Sequence, residues 1–215
     1  NKVDKARYLA EQMRQGLNVA LITDAGTPGI SDPGEELVRQ CIEAGITVTS
    51  LPGPAACITA LTMSGLGTRR FCFEAFLPPD KKERSRILSE LVNETRTIVL
   101  YEAPHHLAAT LEELYQTLGE RKITLCRELT KRYEEADFTV LSEAAEKYRI
   151  NEPKGEFVLV IEGRPAEEIR KEKQKSWEAI SISQHMKRYL EEGMDSKNAM
   201  KAVAKDRGIS KRDVY

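Results

Sequence analysis

Two loops rich in glycine and proline carry the strongest chemical signal in this chain. DAGTPGISDPG, residues 24–34, follows the short apolar run VALITD at 19–24. Glycines at 26, 29 and 34 let a backbone adopt positive φ and come close to a ligand, while the prolines stiffen the path between them. The loop has no GK[ST] and no G-x-G-x-x-G spacing. That disfavours phosphate and leaves a neutral or zwitterionic nucleoside as the better match. LPGPAA, residues 51–56, is a second strand-to-loop-to-helix junction, where Gly53 and the small residues after it let a flat adenine or a sulfonium-bearing chain lie against backbone amides. Two such loops predict a shared pocket, since ligands of open α/β sheets sit outside the carboxyl ends of strands.

Three further segments carry polar side chains. YEAPHH at 101–106 ends a strand with Tyr101 and Glu102 and opens a helix at Pro104; the histidines after it, His105 and His106, either put a polar group over a cleft or are merely solvated in the helix's first turn. No third ligand stands at metal spacing, so no metal is expected. RELTKRYEE at 127–135 mixes Arg127, Lys131 and Arg132 with glutamates; it reads either as a surface ion-pair network or as a cleft wall that attracts a phosphodiester. KGE at 154–156 offers another glycine approach. Near the C-terminus, Lys197, Lys201 and Lys205 recur at i, i+4 and i+8 on one helical face, followed by Arg207, Lys211 and Arg212. This is the one locally basic patch, suited to phosphates or merely solvated.

The elements that position these groups follow from periodicity. A first amphipathic helix (Val3, Ala6, Leu9, Ala10, Met13) has no strand before it, which predicts a fragment lacking its natural start. VALITD and ITVTSL read as buried parallel strands, with a helix at 35–44 between them and another over 55–64. From Phe71 come FCFEAF, a charged helix near 81–93, TIVLY at 97–101, a helix from Pro104 to about Leu118, then KITLCREL, DFTVLS and GEFVLVIEG. The expected organisation is an α/β domain over 1–69, a mixed α/β domain over 70–165, a charged linker over 166–177, and a helix-turn-helix-like tail over 178–215. With 215 residues, 40% of them hydrophobic, and net charge −1, the chain can bury a real core but has no global basic field. Cys41, Cys57, Cys72 and Cys126 lack C-x-x-C spacing and read as reduced core residues. No run is long enough to span a bilayer and no signal peptide is visible, so the expected location is the cytoplasm.

Taken in order, DAGTPGISDPG, LPGPAA, FEAFLP, YEAPHH, RELTK and KGEFVLVIEG resemble the signature segments of the ribosomal RNA small-subunit methyltransferase I family. The resemblance runs from about Leu21 to Gly163, and the tail resembles that family's helix-turn-helix extension. It implies a two-domain tetrapyrrole-methylase-like α/β fold with a small helical tail. It also implies S-adenosylmethionine as cofactor, a cytidine ribose 2′-hydroxyl of 16S rRNA as acceptor, and a homodimer. By the same resemblance the cofactor contacts fall on Ala25, Gly26, Thr27, Ile30, Ala55, Ala56, Cys57, Glu102, Leu129 and Gly155, while the candidates for RNA contact, Lys197, Lys201, Lys205, Arg207, Lys211 and Arg212, follow from the charge pattern of the tail alone. Glu102, His105 and Lys131 are the candidates for a base or polarising cation. The chain departs from the family at Ala55, where a serine is usual, and at His106, where an arginine is usual; the family's first strand and Gly-Asn loop would precede Asn1. Two competing readings are a methylase of corrinoid or porphyrinoid precursors, against which the basic tail argues, and a non-catalytic RNA-binding protein with a degenerate pocket.

Overall fold

A computed structural model describes residues 2–215; Asn1, where the first domain was expected to open, lies outside the described residues. The chain divides into two compact units, one running up to Val92 and over Arg96–Glu162, the other formed by Asn93–Thr95 and Gly163–Tyr215.

The first unit contains α1 (Lys2–Arg14), α2 (Glu35–Glu43), α3 (Ala56–Met63), β1 (Phe71–Phe76), α4 (Lys81–Leu91), β2 (Thr97–Glu102), α5 (Pro104–Leu118), β3 (Lys122–Arg127), β4 (Glu135–Val140), α6 (Leu141–Ile150) and β5 (Phe157–Ile161). Its five-stranded sheet has the order β1-β2-β5-β3-β4. β1 and β2 run parallel, while β5 is antiparallel to both β2 and β3, and β4 is antiparallel to β3. The pleat of β2 sorts its side chains. Ile98 and Leu100 enter one core with Leu88 and Leu91 of α4 and Leu107, Leu111 and Leu114 of α5. Val99 enters the other core, with Cys57, Ala60 and Leu61 of α3, and Tyr101 packs against it. Each leucine so buried contributes about 1.5–3 kcal/mol. Local signals fix the helix ends: the Asp80 side chain accepts from the Glu83 amide at the start of α4, and Pro104 opens α5, which stops at Gly119 with φ 73°.

Three expectations are corrected. Residues 19–24 and 46–51 have no ladder partner among the described residues and form no strand. Ile22 is 84% exposed and Leu51 83%; an apolar run becomes a buried parallel strand only when neighbours bond to it on its edges. DFTVLS is only partly a strand, because at Leu141 the chain turns into α6, whose Leu141, Ala144 and Ala145 are buried. The segment read as a charged linker is α7 (Ala166–Glu178), a regular helix.

The second unit adds α8 (Ile182–Glu191), α9 (Ser196–Arg207) and α10 (Lys211–Val214) to α7. Ser181 and Ser210 form capping boxes, Asp195 caps α9, and Gly208 ends α9 in the left-handed region. A fully buried imidazole sits inside. His185 stacks on Trp177 at 3.8 Å and on Tyr189 at 5.4 Å between ring centroids. The Nε of Arg207 donates to His185 Nδ1 at 3.2 Å, which assigns the neutral ring's proton to Nε2, 3.4 Å from Asp206 Oδ2. Burial and, more weakly, the cations Arg207 and Arg188 lower the His185 pKa, against the opposing pull of Asp206.

This arrangement predicts an acid-sensitive unit. The unfolded chain takes up a proton near pH 6.5 while the folded imidazole resists it, so stability is present above about pH 6.5 and is lost as pH falls towards the lower folded pKa. Trp177 is the single tryptophan. Urea titrations followed by its emission should therefore show a midpoint that falls between about pH 7 and pH 5. A midpoint that stays constant over that range would show that His185 does not control this unit.

Candidate functional site

The sheet gathers one end of the molecule's first unit. Phe157 pairs with Glu102 on one side and with Arg127 on the other, and Phe76 pairs with Tyr101. The carboxyl ends of β1, β2 and β3 and the entry to β5 therefore lie together, at the position where open α/β sheets hold ligands.

Two hydrogen bonds bring the glycine-proline loops to this end. The Cys57 amide, in the first turn of α3, donates to the Tyr101 hydroxyl at 3.1 Å. Thr27 Oγ1 donates to the Pro54 carbonyl at 2.9 Å. The second contact depends on Gly53, because a Cβ there would stand 3.1 Å from Thr27 Oγ1. Thr27–Ile30 closes as a turn, with the Ile30 amide donating to Thr27 O at 3.4 Å and Pro28 and Gly29 (φ 82°) at its corners. Ala55 and Leu129 pack against the same cluster as Cys57 and Tyr101. The structure thus links Gly26–Ile30, Ala55–Cys57, Tyr101 and Leu129. Several of these residues present small or apolar side chains, and the Asp32 carboxylate acts on Tyr101 from nearby. Ala25, Gly26, Ile30 and Ala56 are exposed and uncovered. Among the described residues no group of three or more His, Cys, Asp or Glu side chains is placed to hold a metal ion.

The loop after β3 is built as a clamp. Glu128 and Thr130 have φ of 50° and 63°, left-handed values that bracket Leu129. Such backbone persists only where surroundings over-determine it. Here the Glu128 carboxylate accepts from the Glu156 amide at 2.9 Å and from Lys131 Nζ at 3.0 Å, and Lys131 also reaches Glu156 at 2.8 Å. Gly155 (φ 87°) is required, since a Cβ would fall 2.6 Å from Glu128 Cγ.

These contacts revise the catalytic candidates. Lys131 has its pKa raised by Glu156 and then by Glu128, which favours the polarising cation over the base of the two roles expected for it. Glu102 lies on the face of β2 opposite Tyr101, and both its oxygens are engaged, with the Ala103 amide at 2.8 Å and Thr110 Oγ1 at 2.6 Å. Thr110 in turn accepts from Arg84. Glu102 anchors the start of α5 rather than presenting a free carboxylate. His105 is exposed, its ring 4.1 Å from that of His106; its side chain alone of the three has no hydrogen bond or ion pair among the described residues. Tyr101 was missed as a site residue. Burial and then the Cys57 side chain push its pKa up to about 12, so it stays protonated. The signal was present in the alternation of TIVLYE, which sends Tyr101 and Glu102 to opposite faces.

In the second unit Lys197, Lys201 and Lys205 are exposed along α9 and have no carboxylate partner among the described residues, and Lys211 and Arg212 are exposed on α10. Arg207 is removed from the basic patch: its Nη2 donates to Ile180 O at 2.6 Å and its Nε to His185.

Residues 1–145 match the family described as Tetrapyrrole (Corrin/Porphyrin) Methylases, which defines the class. The chain is 44% identical over 215 residues to Ribosomal RNA small subunit methyltransferase I of Halalkalibacterium halodurans, covering 100% of this chain and 74% of that protein. The protein of the same name from Bacillus subtilis is 41% identical over 215 residues, with 100% and 73% covered. The chain belongs to the ribosomal RNA small subunit methyltransferase I family within the tetrapyrrole methylases. Its fold is shared with the methyltransferase CobJ, at TM-score 0.58 and 19% identity over 76% of this chain and 72% of that one. A uroporphyrin-III-C-methyltransferase from Thermus thermophilus gives TM-score 0.51 and 20% identity, with 73% and 70% covered.

Proposed function

We propose that the chain transfers a methyl group from S-adenosylmethionine to RNA of the small ribosomal subunit, at the 2′-hydroxyl of a cytidine. The observation that carries this is the 44% identity over all 215 residues to an enzyme whose name states ribosomal RNA small subunit methylation. Gly26–Ile30 and Ala55–Cys57 would hold the cofactor, with Leu129 as an apolar wall. When bound, the sulfonium supplies an electrophilic methyl carbon and departs as a neutral thioether, which needs no acid.

The chain's own contribution is positioning. Acceptor and methyl must approach to about 3–3.5 Å in line with water excluded, and the contacts of Glu128 with Lys131 and the Glu156 amide would hold the loop after β3 in place for that approach. Of the three candidates His105 is the one whose side chain is uncommitted, and it is the group that would accept the hydroxyl proton. Lys197, Lys201, Lys205, Lys211 and Arg212 would contact RNA phosphates. A homodimer in the cytoplasm belongs to the same reading.

Methyl-labelled S-adenosylmethionine incubated with the protein should label small-subunit RNA and leave a tetrapyrrole precursor unlabelled. Label in the tetrapyrrole alone would replace this reading with the small-molecule one, and RNA binding without transfer of label would make the chain a non-catalytic binder.

A further inference from the structure

FEAFLP is a signature segment to which no role has yet fallen, and its geometry is unusual. In β1, Phe71, Cys72 and Phe73 pair with Thr97, Ile98 and Val99 of β2, but the next partners are Ala75 with Leu100 and Phe76 with Tyr101. One extra residue is inserted at Glu74. The bulge holds Ala75 at φ 51°, a left-handed value for a residue with a Cβ. Side chains alternate faces along a strand, so Phe73 and Phe76, three apart, would point to opposite faces of a regular β1. The inserted residue brings both to one face. Each ring meets Tyr101 edge-on, Phe73 at 4.9 Å and Phe76 at 5.6 Å.

Packing does not account for this. Phe73 is largely covered, but Phe76 remains 52% exposed, so backbone strain is spent on presenting an apolar ring to solvent. Bulges recur beside active sites, where they re-aim a side chain, and this one aims Phe76 at the carboxyl end of β1. The ring touches the same tyrosine whose hydroxyl receives the Cys57 amide at the start of α3.

We propose that Phe76 is a stacking platform for a heteroaromatic base at the candidate site. This rests on the function proposed above, in which two such bases must come together: the adenine of the cofactor and the base of the acceptor nucleotide. A half-exposed ring set at 64° to Tyr101 can take either, because stacking on an aromatic side chain tolerates any base.

Phe76→Leu keeps an apolar side chain without a π-face, and Phe76→Trp restores the face. S-adenosylmethionine affinity by calorimetry, KM for small-subunit RNA and the thermal midpoint are measured for both variants and for the unaltered protein. Phe76→Leu should weaken one of the two ligands by roughly tenfold, in line with the stacking strength of one base, at an unchanged midpoint, and Phe76→Trp should recover it. Loss of cofactor affinity identifies the adenine as the stacked ring, and a raised KM for RNA identifies the acceptor base. Unaltered affinities in Phe76→Leu, or equal losses in the leucine and tryptophan variants, would overturn the proposal, as would a lowered midpoint with both affinities intact. An unaltered protein that binds neither ligand would instead remove the functional reading on which the inference rests.

Discussion

Gly26→Val should abolish S-adenosylmethionine binding while leaving the protein folded. Gly26 has φ 77°, a region that a β-branched residue enters only as an outlier, so the turn Thr27–Ile30 would be forced from its path. A bare Cβ would lie 3.6 Å from the Pro54 carbonyl, an ordinary contact. Conformation and the branched methyls, not crowding by the protein itself, are therefore the obstacle. The position is exposed and outside both sheet cores, so the protein should still fold, with a thermal midpoint lowered by only a few degrees. Strain of about 1–3 kcal/mol, added to lost contact with the ligand, predicts a fall in affinity on the order of 100-fold or more by calorimetry. An unchanged affinity would move the pocket away from this loop.

The second large effect is electrostatic. Replacing Lys197, Lys201 and Lys205 by glutamine keeps helix propensity and removes three exposed charges that have no carboxylate partner among the described residues. If all three meet phosphates, each lost contact lowers the slope of log affinity against log salt by about 0.7–0.9, so the triple variant should lose roughly 2–2.7. Cofactor affinity should not change. A salt dependence identical to that of the unaltered protein would leave the face merely solvated. Arg207 is excluded from this variant because it holds His185 and the Ile180 carbonyl; its loss would test stability rather than RNA contact.

Strong local signals were legible in the sequence. Pro104 and Gly119 bound α5 where proline and glycine are expected, and the β-branched runs TIVLY, KITLC and FVLVI are strands. The glycine-proline loops were legible as a pair, and the Thr27–Pro54 bond joins them. Hydrogen bonding decided the rest. VALITD and ITVTSL have strand composition but no partner to ladder with. RPAEEIRKEKQK has the charge of a linker, yet three or four residues apart its charges suit a helix, and Arg170 pairs with Glu167 on α7. Glu102 and Lys131 have the residue types of catalysts, but only their partners, Thr110 and Glu128 with Glu156, reveal that they are engaged. The bulge at Glu74 is invisible to alternation because it is a break in alternation.

The most direct test of the account concerns the atom that receives the methyl group. Small-subunit RNA labelled by the protein from methyl-labelled S-adenosylmethionine is hydrolysed in alkali, where cleavage needs a free 2′-oxygen to attack the neighbouring phosphodiester. The account predicts that the label survives in an alkali-resistant dinucleotide whose 5′ member is a cytidine. Label released in mononucleotides, with the methyl on a base, would contradict it.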